Sequence, residues 1–183
     1  MTIVGRNSKR LLKMINDIID TSKIENGAYH LNIKDNDIVY LVEESVLTLK
    51  NYIEEKGVTL IVDPEFEEKV VKCDYESIER CIVNLVSNAA KFTKEGGIIT
   101  VNIKEKNSKA IIEVIDTGIG IEKKYHETIF DRFNQIIDEN SENKGGSGLG
   151  LAITNQIIEL HNGSIELESE FRKGSKFTII LPI

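Results

Sequence analysis

Apolar residues recur with helical spacing in four segments of the chain, and each segment is predicted to be an α-helix. The predicted helices cover residues 2–26, 38–56, 75–92 and 148–161. The first carries a broad apolar face made of Val4, Leu11, Leu12, Ile15, Ile18 and Ile19. One helix cannot bury such a face alone, so a partner helix from this domain or another chain is expected.

Residues at the ends of these segments favour the same boundaries. Asp37 and Asp74 are predicted N-caps of the second and third helices, because a short carboxylate there accepts a hydrogen bond from a free backbone N–H. Asn26-Gly27 and Gly57 are expected to end the first and second helices.

Short apolar runs with alternation predict six strands. The runs are VTLIVD (58–63), KVVKCD (69–74), GIITVNIKE (97–105), SKAIIEVID (108–116), GSIELESE (163–170) and GSKFTIILP (174–182). The third and fourth are joined by a polar turn around Asn107, which predicts a β-hairpin. Helices and strands intermix without strict β-α-β alternation. The predicted fold is therefore α+β: a two-layer sandwich of a mixed β-sheet and about three helices, preceded by one long N-terminal helix.

Composition narrows the class of protein. The chain has 183 residues, 40% hydrophobic and 29% charged, which is typical of one folded globular domain with a short appendage. The net charge of −7 argues against nucleic acid as a partner. No apolar run reaches the ~18 residues of a membrane span, so no membrane contact is expected. Cys73 and Cys81 fit a reducing cytoplasm, and their spacing predicts no metal site.

A polar row lies on the third predicted helix. Asn84, Asn88 and Lys91 stand at i, i+4 and i+7 and so share one face. The row is compatible with an ordinary solvated face. In the functional interpretation, amide oxygens hold a hard cation and the lysine meets phosphate.

Two glycine-containing turns flank a long loop, residues 117–147. DTGIG (116–120) directly follows a strand, and an aspartate there can accept a hydrogen bond from an amino group. It also spells the D-T-G of aspartic proteases, but those need two such aspartates and this chain has one. GGSGLG (145–150) opens the last helix, where backbone N–H groups form an anion cradle. No G-K-[ST] follows, so it is not a Walker loop.

Taken in order, these segments resemble a known family. The N-box residues Asn84, Asn88 and Lys91, then DTGIG, FDRF (130–133), GGSGLGLAI (145–153) and KFTIILP (176–182), resemble the motifs of sensor histidine kinases. The resemblance implies the ATP-binding fold shared with gyrase, heat-shock chaperone and mismatch-repair ATPases. Residues 1–27 resemble the family's second dimerisation helix, and 28–183 its ATP-binding catalytic domain.

The resemblance also implies roles at an ATP·Mg²⁺ site. Asp116 would accept from the adenine amino group, with Thr178 near the same base edge. Asn88 would ligate Mg²⁺, Asn84 would lie by metal and phosphates, and Lys91 and Arg132 would contact phosphate. Gly118 and Gly120 would shape the pocket floor, and Phe130 and Phe133 would anchor a lid. The backbone closing over the phosphates would come from Gly146, Ser147, Gly148, Leu149 and Gly150. Many family members carry a basic residue, opposite in charge to the triphosphate, where Gln135 stands in this chain. Lys144 is the alternative source of that positive charge.

Asn84 favours a kinase over a water-activating ATPase. ATPase branches of the superfamily carry a glutamate at this position, one helical turn before the metal-binding asparagine, and an amide cannot act as a general base. A conformational ATPase and a non-catalytic nucleotide-binding module remain the alternatives.

The three histidines do not have the setting of a phosphoacceptor. His30 is expected in a surface loop, His126 on the surface near the lid, and His161 as a helix C-terminal cap. The chain is therefore expected to be a piece that begins after the first dimerisation helix and does not label itself. Its expected partners are the acceptor-histidine helix of its parent protein, which forms a homodimer, and a response regulator receiver domain.

Overall fold

The computed structural model describes residues 3–134 and 147–183. Its helices are α1 (Ile3–Glu25), α2 (Ile38–Leu47), α3 (Lys50–Glu55), α4 (Tyr75–Phe92) and α5 (Gly150–Leu160), with a short 3₁₀ turn at Lys123–Tyr125. Its strands are β1 (Lys34–Asp37), β2 (Thr59–Pro64), β3 (Val70–Cys73), β4 (Ile98–Lys106), β5 (Lys109–Asp116), β6 (Ser164–Glu170) and β7 (Gly174–Pro182).

The main sheet has five strands in the order β2-β4-β5-β7-β6. β2 pairs with β4 in parallel and the other neighbours are antiparallel, so the sheet is mixed. β1 and β3 form a separate antiparallel pair. The mixed sheet with helices on one face confirms the predicted α+β sandwich.

The core lies between one face of this sheet and helices α2, α4 and α5. Alternate residues of β4 (Ile99, Val101, Ile103) face the same layer as Ile112 and Val114 of β5, and all are buried. The opposite face carries charged and polar residues, among them Lys104, Glu113 and Lys176, which form ion pairs across the strands. One face of the sheet is therefore dry and the other is solvated, as is common in antiparallel sheets.

The predicted caps are present. Asp37 accepts from the backbone N–H of Val39 at 3.0 Å, and Asp74 from that of Ser77 at 2.9 Å. At the end of α1, Gly27 has φ +65° and the N–H of Ala28 donates to the carbonyl of Lys23. This is the left-handed helix stop that glycine makes without steric cost.

The prediction of a single helix over residues 38–56 is wrong. The helix stops at Leu47 and a second one, α3, begins at Lys50. Thr48 donates its hydroxyl to the carbonyl of Ser45 at 2.7 Å, and the N–H of Leu49 donates to Val46 three residues back. Such local bonds compete with the regular helical ladder, so the chain breaks there although its apolar spacing continues.

Both cysteines are inside the core. Burial raises the pKa of the Cys73 thiol to about 11 and that of Cys81 to about 12. Neither thiol is therefore ionised near neutral pH, and both act as small apolar side chains. Within the described ranges, no helix combines the length and hydrophobicity needed to cross a membrane.

Candidate functional site

Helices α4 and α5 pack side by side and bring two predicted motifs together. The Nδ2 of Asn84 donates to the hydroxyl of Thr154 on α5 at 3.0 Å. A Cβ on Gly150 would overlap the Oδ1 of Asn84 and approach its Cγ to 3.0 Å. The polar row on α4 therefore lies directly beside the start of α5, as the functional interpretation of both motifs requires.

Among the described residues, no side chain of the N-cap position caps the first turn of α5. Leu149 is its N-cap and provides no side-chain hydrogen bond to the first turn. The hydroxyl of Ser147 accepts from the N–H of Leu149 at 3.3 Å, but the first N–H groups of a helix have no acceptor within the helix. Free N–H groups and the positive end of the helix dipole make this terminus suitable for an anion.

Asn88 and Lys91 follow Asn84 along α4. Both side chains are half-buried, and within the described part of the chain Asn88 forms no side-chain hydrogen bond. The Nζ of Lys91 lies 4.6 Å from the ring centre of Phe92. This face of α4 therefore offers an amide oxygen with unused acceptor capacity and a nearby ammonium group.

Asp116 lies at the end of β5 on the buried face of the sheet, with only 7% of its surface exposed. Burial raises the pKa of its carboxyl, while backbone N–H groups of Gly118 and Ser175 act in the opposite direction. Its Oδ1 accepts from the N–H of Gly118 at 2.8 Å. The carboxylate is therefore held in place by the backbone and largely withdrawn from water.

Gly118 sits where any side chain would collide. An added Cβ would lie 2.7 Å from both Asp116 Oδ1 and the carbonyl oxygen of Phe92. The turn after β5 thus packs against the C-terminal end of α4, which joins the aspartate to the polar row. Gly120 (φ +65°) instead meets the backbone of Glu170 in the β6–β7 connection, so the need for glycine there comes from that connection.

The predicted position of Thr178 beside Asp116 is wrong. In the β5–β7 ladder Thr178 pairs with Glu113, whereas Asp116 pairs with Ser175. Successive strand residues point to opposite faces, so Thr178, although itself buried, lies on the face of the sheet opposite Asp116. The β7 residue paired with Asp116 is Ser175, which was not predicted. Counting the antiparallel register of β5 and β7 from Asp116 would have identified it.

Only one of the two phenylalanines in the FDRF segment packs as an anchor. Phe130 packs edge-on against Phe177, with ring centres 6.4 Å apart and planes at 89°. Phe133 is 67% exposed with φ +60°, so its predicted anchoring role is not seen. Its N–H donates to the carbonyl of Gly148 at 2.9 Å, which ties this segment to the glycine-rich turn.

Acidic residues of α1 contact the same region. Arg80 of α4 donates to Asp17 at 2.8 Å and to Asp20 at 2.5 Å. The hydroxyl of Ser147 donates to Asp17 at 3.3 Å, and Arg132 pairs with Glu25. Arg132, a predicted phosphate contact, therefore has a carboxylate partner on α1 in this structure.

His161 and His30 have the surroundings that the sequence predicted, whereas His126 is half-buried rather than on the surface. His161 ends α5, where its Nε2 accepts from the N–H of Asp74 at 3.0 Å and its Nδ1 donates to the carbonyl of Ile157 at 2.7 Å. His126 bonds the carbonyl of Ile121, and His30 is exposed after α1.

Some predicted residues lie outside the described ranges: Gln135, Lys144, Gly145 and Gly146. Within the described part of the chain, no group of three or more His, Cys, Asp or Glu side chains is placed to hold a metal. A divalent ion at this site would need amide oxygens and ligands from the bound molecule.

Comparison with known proteins identifies relatives. Residues 73–183 match the family described as histidine kinase-, DNA gyrase B-, and HSP90-like ATPase. The circadian input-output histidine kinase CikA of Synechococcus elongatus is 34% identical over 178 residues, which are 96% of this chain and 24% of that protein. The chain spans less than a third of the length of the curated relatives it matches.

Solved structures share the fold. Full-length ShkA in complex with AMPPNP superposes with a TM-score of 0.85 at 23% identity, over 97% of this chain and 36% of that one. Histidine kinase ThkA in complex with the response regulator protein TrrA gives 0.77 at 23% identity, over 98% of this chain and 49% of that one. At this identity the likeness shows a common fold.

Proposed function

The chain belongs to the family of histidine kinase-, DNA gyrase B- and HSP90-like ATPases, as an ATP-binding catalytic domain of the sensor histidine kinase type, and on that premise we propose that it transfers the γ-phosphoryl group of ATP to a histidine on another helix. The observation that supports this proposal is that α4 is contacted at Asn84 by the start of α5 and at its C-terminal end by the turn that holds Asp116. The phosphorylated histidine would then supply an aspartate of a response regulator. In the same proposal, residues 1–27 are the second helix of a dimerisation hairpin and 28–183 the catalytic domain.

Each part of the site has a role that its chemistry supports. Asp116 accepts from the exocyclic amino group of adenine, which a buried carboxylate does well because it is desolvated. The first N–H groups of α5 and the ammonium of Lys91 bind the phosphates. In-line transfer needs mainly positioning and charge neutralisation, and these residues provide both.

The residues also suit Mg²⁺. The half-buried amide of Asn88 is a hard oxygen donor without a competing hydrogen bond among the described residues, and Mg²⁺ commonly uses one or two protein ligands together with substrate phosphates. When bound, the ion supplies neutralisation of the triphosphate charge. We place Asn88 as its ligand.

Asn84 supports transfer to histidine over hydrolysis. Its carboxamide cannot remove a proton from water, so the γ-phosphate waits for a stronger nucleophile. A nitrogen of a neutral imidazole is such a nucleophile and needs no base to become reactive.

The test is a labelling assay with radioactive ATP. The chain alone is expected to remain unlabelled, because His161 and His126 are engaged in hydrogen bonds and His30 lies in an exposed loop outside any acceptor helix. A separate polypeptide with the parent protein's acceptor helix is expected to gain acid-labile, base-stable label slowly, since mixing at micromolar concentration forgoes the millimolar effective concentration of a tether.

A binding measurement on a variant and a turnover measurement on the parent chain complete the test. Asn88→Ala should bind metal-free ATP as the parent chain does, yet lose the gain in affinity on adding Mg²⁺. Steady ATP turnover by the chain alone at about 1 s⁻¹ or faster, with no label on the acceptor helix, would instead identify a conformational ATPase.

A further inference from the structure

Ser169 lies where β6, β7 and the turn after β5 meet, and none of the family motifs in this chain includes it. Its Oγ accepts from the backbone N–H of Ile121 at 2.8 Å and donates to the carbonyl oxygen of Gly174, also at 2.8 Å. The Oγ of Ser175 lies 3.0 Å away on β7. One half-buried hydroxyl is therefore in hydrogen-bond contact with all three groups.

The direction of the bond between the two serines follows from the protons available. A serine hydroxyl has one proton and a carbonyl oxygen has none. Two oxygens 2.8 Å apart repel each other unless a proton lies between them, so the proton of Ser169 lies on its contact with Gly174. The 3.0 Å contact between the two hydroxyls is then bridged by the proton of Ser175. The oxygen of Ser175 keeps only lone pairs for any other group.

Ser175 is also the β7 residue paired with Asp116. Directly opposite residues of an antiparallel pair project to the same face of the sheet, with Cβ atoms about 4.5–5.5 Å apart. Both residues are buried, and within the described part of the chain the hydroxyl of Ser175 has no hydrogen-bond partner besides Ser169. The carboxylate and the serine oxygen therefore form a pair of neighbouring acceptors.

Two neighbouring acceptors select a group that carries two donors. The exocyclic amino group of adenine has two hydrogens on one nitrogen, whereas a carbonyl at the same ring position has only lone pairs. A serine hydroxyl that is free to rotate can accept from the amino group or donate to the carbonyl, and it distinguishes them poorly. Discrimination at Ser175 therefore requires that its proton be engaged elsewhere.

We propose that Ser169 is a positioning residue for base selection: it engages the hydroxyl proton of Ser175, so that Ser175 and Asp116 present only acceptors to the purine. This proposal rests on the proposed function, in which Asp116 binds the amino group of adenine. Ser169 acts through Ser175 and does not touch the nucleotide.

The readout is the ratio of the affinities for ATP and inosine triphosphate, which has a carbonyl in place of the amino group of adenine. Calorimetry measures both affinities. In Ser169→Ala the ratio should fall about tenfold, because the released hydroxyl of Ser175 can donate to the carbonyl of inosine. Ser169→Thr keeps a hydroxyl on the strand and should stay within about twofold of the parent chain. Ser164→Ala, an exposed position on the same strand, is the control for loss of a serine hydroxyl.

A structural role for Ser169 would give a different result. It would weaken the binding of both nucleotides equally, and the unchanged ratio would overturn the proposal. In a Ser175→Ala background, Ser169→Ala should no longer change the ratio, because the hydroxyl that it positions is gone; a full effect there would also overturn it.

Ser175→Ala alone keeps the proposal testable if Ser169→Ala does not fold. Loss of the second acceptor should lower the ratio about fivefold or more, and an unchanged ratio would contradict the proposal. A parent chain that binds neither nucleotide, or both equally, would refute the proposed function itself, which is a distinguishable result.

Discussion

At the scale of single residues, Asp116 is a buried carboxyl in the candidate site. A hydrogen bond to a charged acceptor contributes about 1.5–3 kcal/mol, so Asp116→Ala should weaken ATP binding by roughly 10- to 100-fold. GTP should bind poorly to the parent chain, because guanine presents a carbonyl where adenine has its amino group. Calorimetry with both nucleotides measures the two effects.

The raised pKa of Asp116 gives that prediction a pH signature. Protonation replaces an acceptor with a donor, so ATP affinity should fall with decreasing pH sooner than an ordinary aspartate would allow. The fold should remain intact in Asp116→Ala, which circular dichroism checks. Equal ATP affinity in Asp116→Ala and the parent chain would remove the adenine assignment.

Asp74 connects three parts of the fold, and its charge should stabilise them. Burial by itself raises the pKa of this carboxyl, but hydrogen bonds from the N–H groups of Ser77 and Asn32 outweigh it, and the pKa is lowered in the folded state. The resulting stability is present above the unfolded pKa of about 3.9 and is lost as pH falls through the folded value.

Asp74→Asn should therefore lower the free energy of unfolding at pH 7 and pH 5. The difference from the parent chain should shrink only as pH falls below about 3.9 and on through the lowered folded pKa of this carboxyl. Urea unfolding at pH 7, 5 and 3.5 provides the comparison. Asp63→Asn, an exposed aspartate on β2, is the control and should show little effect at any of these pH values. A loss that stays constant with pH would assign the effect to packing.

At the scale of elements, α1 has two unlike faces. Leu11, Leu12, Ile15, Ile18 and Ile19 are each 45–60% exposed, whereas Asp17, on another side of the helix, is buried against Arg80. The helix is therefore attached to the domain through ionic contacts and through Ile24, which packs against the core, while its apolar face is left uncovered. This division is what a helix needs if it also packs against a second helix.

The two ionic attachments of α1 should differ in strength. The Arg132–Glu25 pair is half-exposed, and such pairs contribute about 0–1 kcal/mol. Arg80 serves two carboxylates, one of them almost fully buried, and its removal would leave an unpaired buried charge. Arg80→Ala should therefore release α1 and raise amide hydrogen exchange at residues 17–25 about tenfold or more.

Arg132→Ala is the matched comparison and should change that exchange by less than about fivefold. Exchange in β4 and β5 should be unaffected by either substitution, because those strands lie in the core. Equal exchange of α1 in the two variants would show that the helix is held by contacts other than these ion pairs.

The elements themselves were largely predictable from the sequence. The amphipathic periods of α1 and α4 and the alternation of β4 and β5 gave their positions to within a residue or two, because local spacing alone determines which side is buried. β1 has the sequence KDND and no apolar pattern, so it forms only because β3 lies beside it. The break between α2 and α3 coincides with local hydrogen bonds of Thr48 and Leu49, which apolar spacing does not reveal.

The parts of the candidate site that lie within sequence motifs were predictable. Asn84 lies against Gly150, and Asp116 and Gly118 lie against the C-terminal end of α4. The partners that hold them were missed, because Thr154 is 70 positions from Asn84 and carries no signal in isolation. Thr178 was misplaced because motif membership does not say which face of a strand a residue occupies.

At the scale of the whole molecule, the site is assembled at one end of the sandwich. It draws on α4, the end of β5 and the start of α5, while β2, β1 and β3 take no part in it. The proposed ligand-binding residues are thus supported by the core. Substitutions on the solvated sheet face should leave nucleotide binding unchanged.

Because both cysteines are buried, the native protein should not react with maleimides. With a thiol pKa of about 11 or 12, roughly one molecule in ten thousand or fewer is thiolate at pH 7, and that fraction is shielded by the core. Mass spectrometry should find no adduct on the folded chain and two adducts in urea. A single cysteine placed at exposed Lys13 would then carry a spin label or fluorophore alone, and distances from it would follow the motion of α1 without any prior removal of the native thiols.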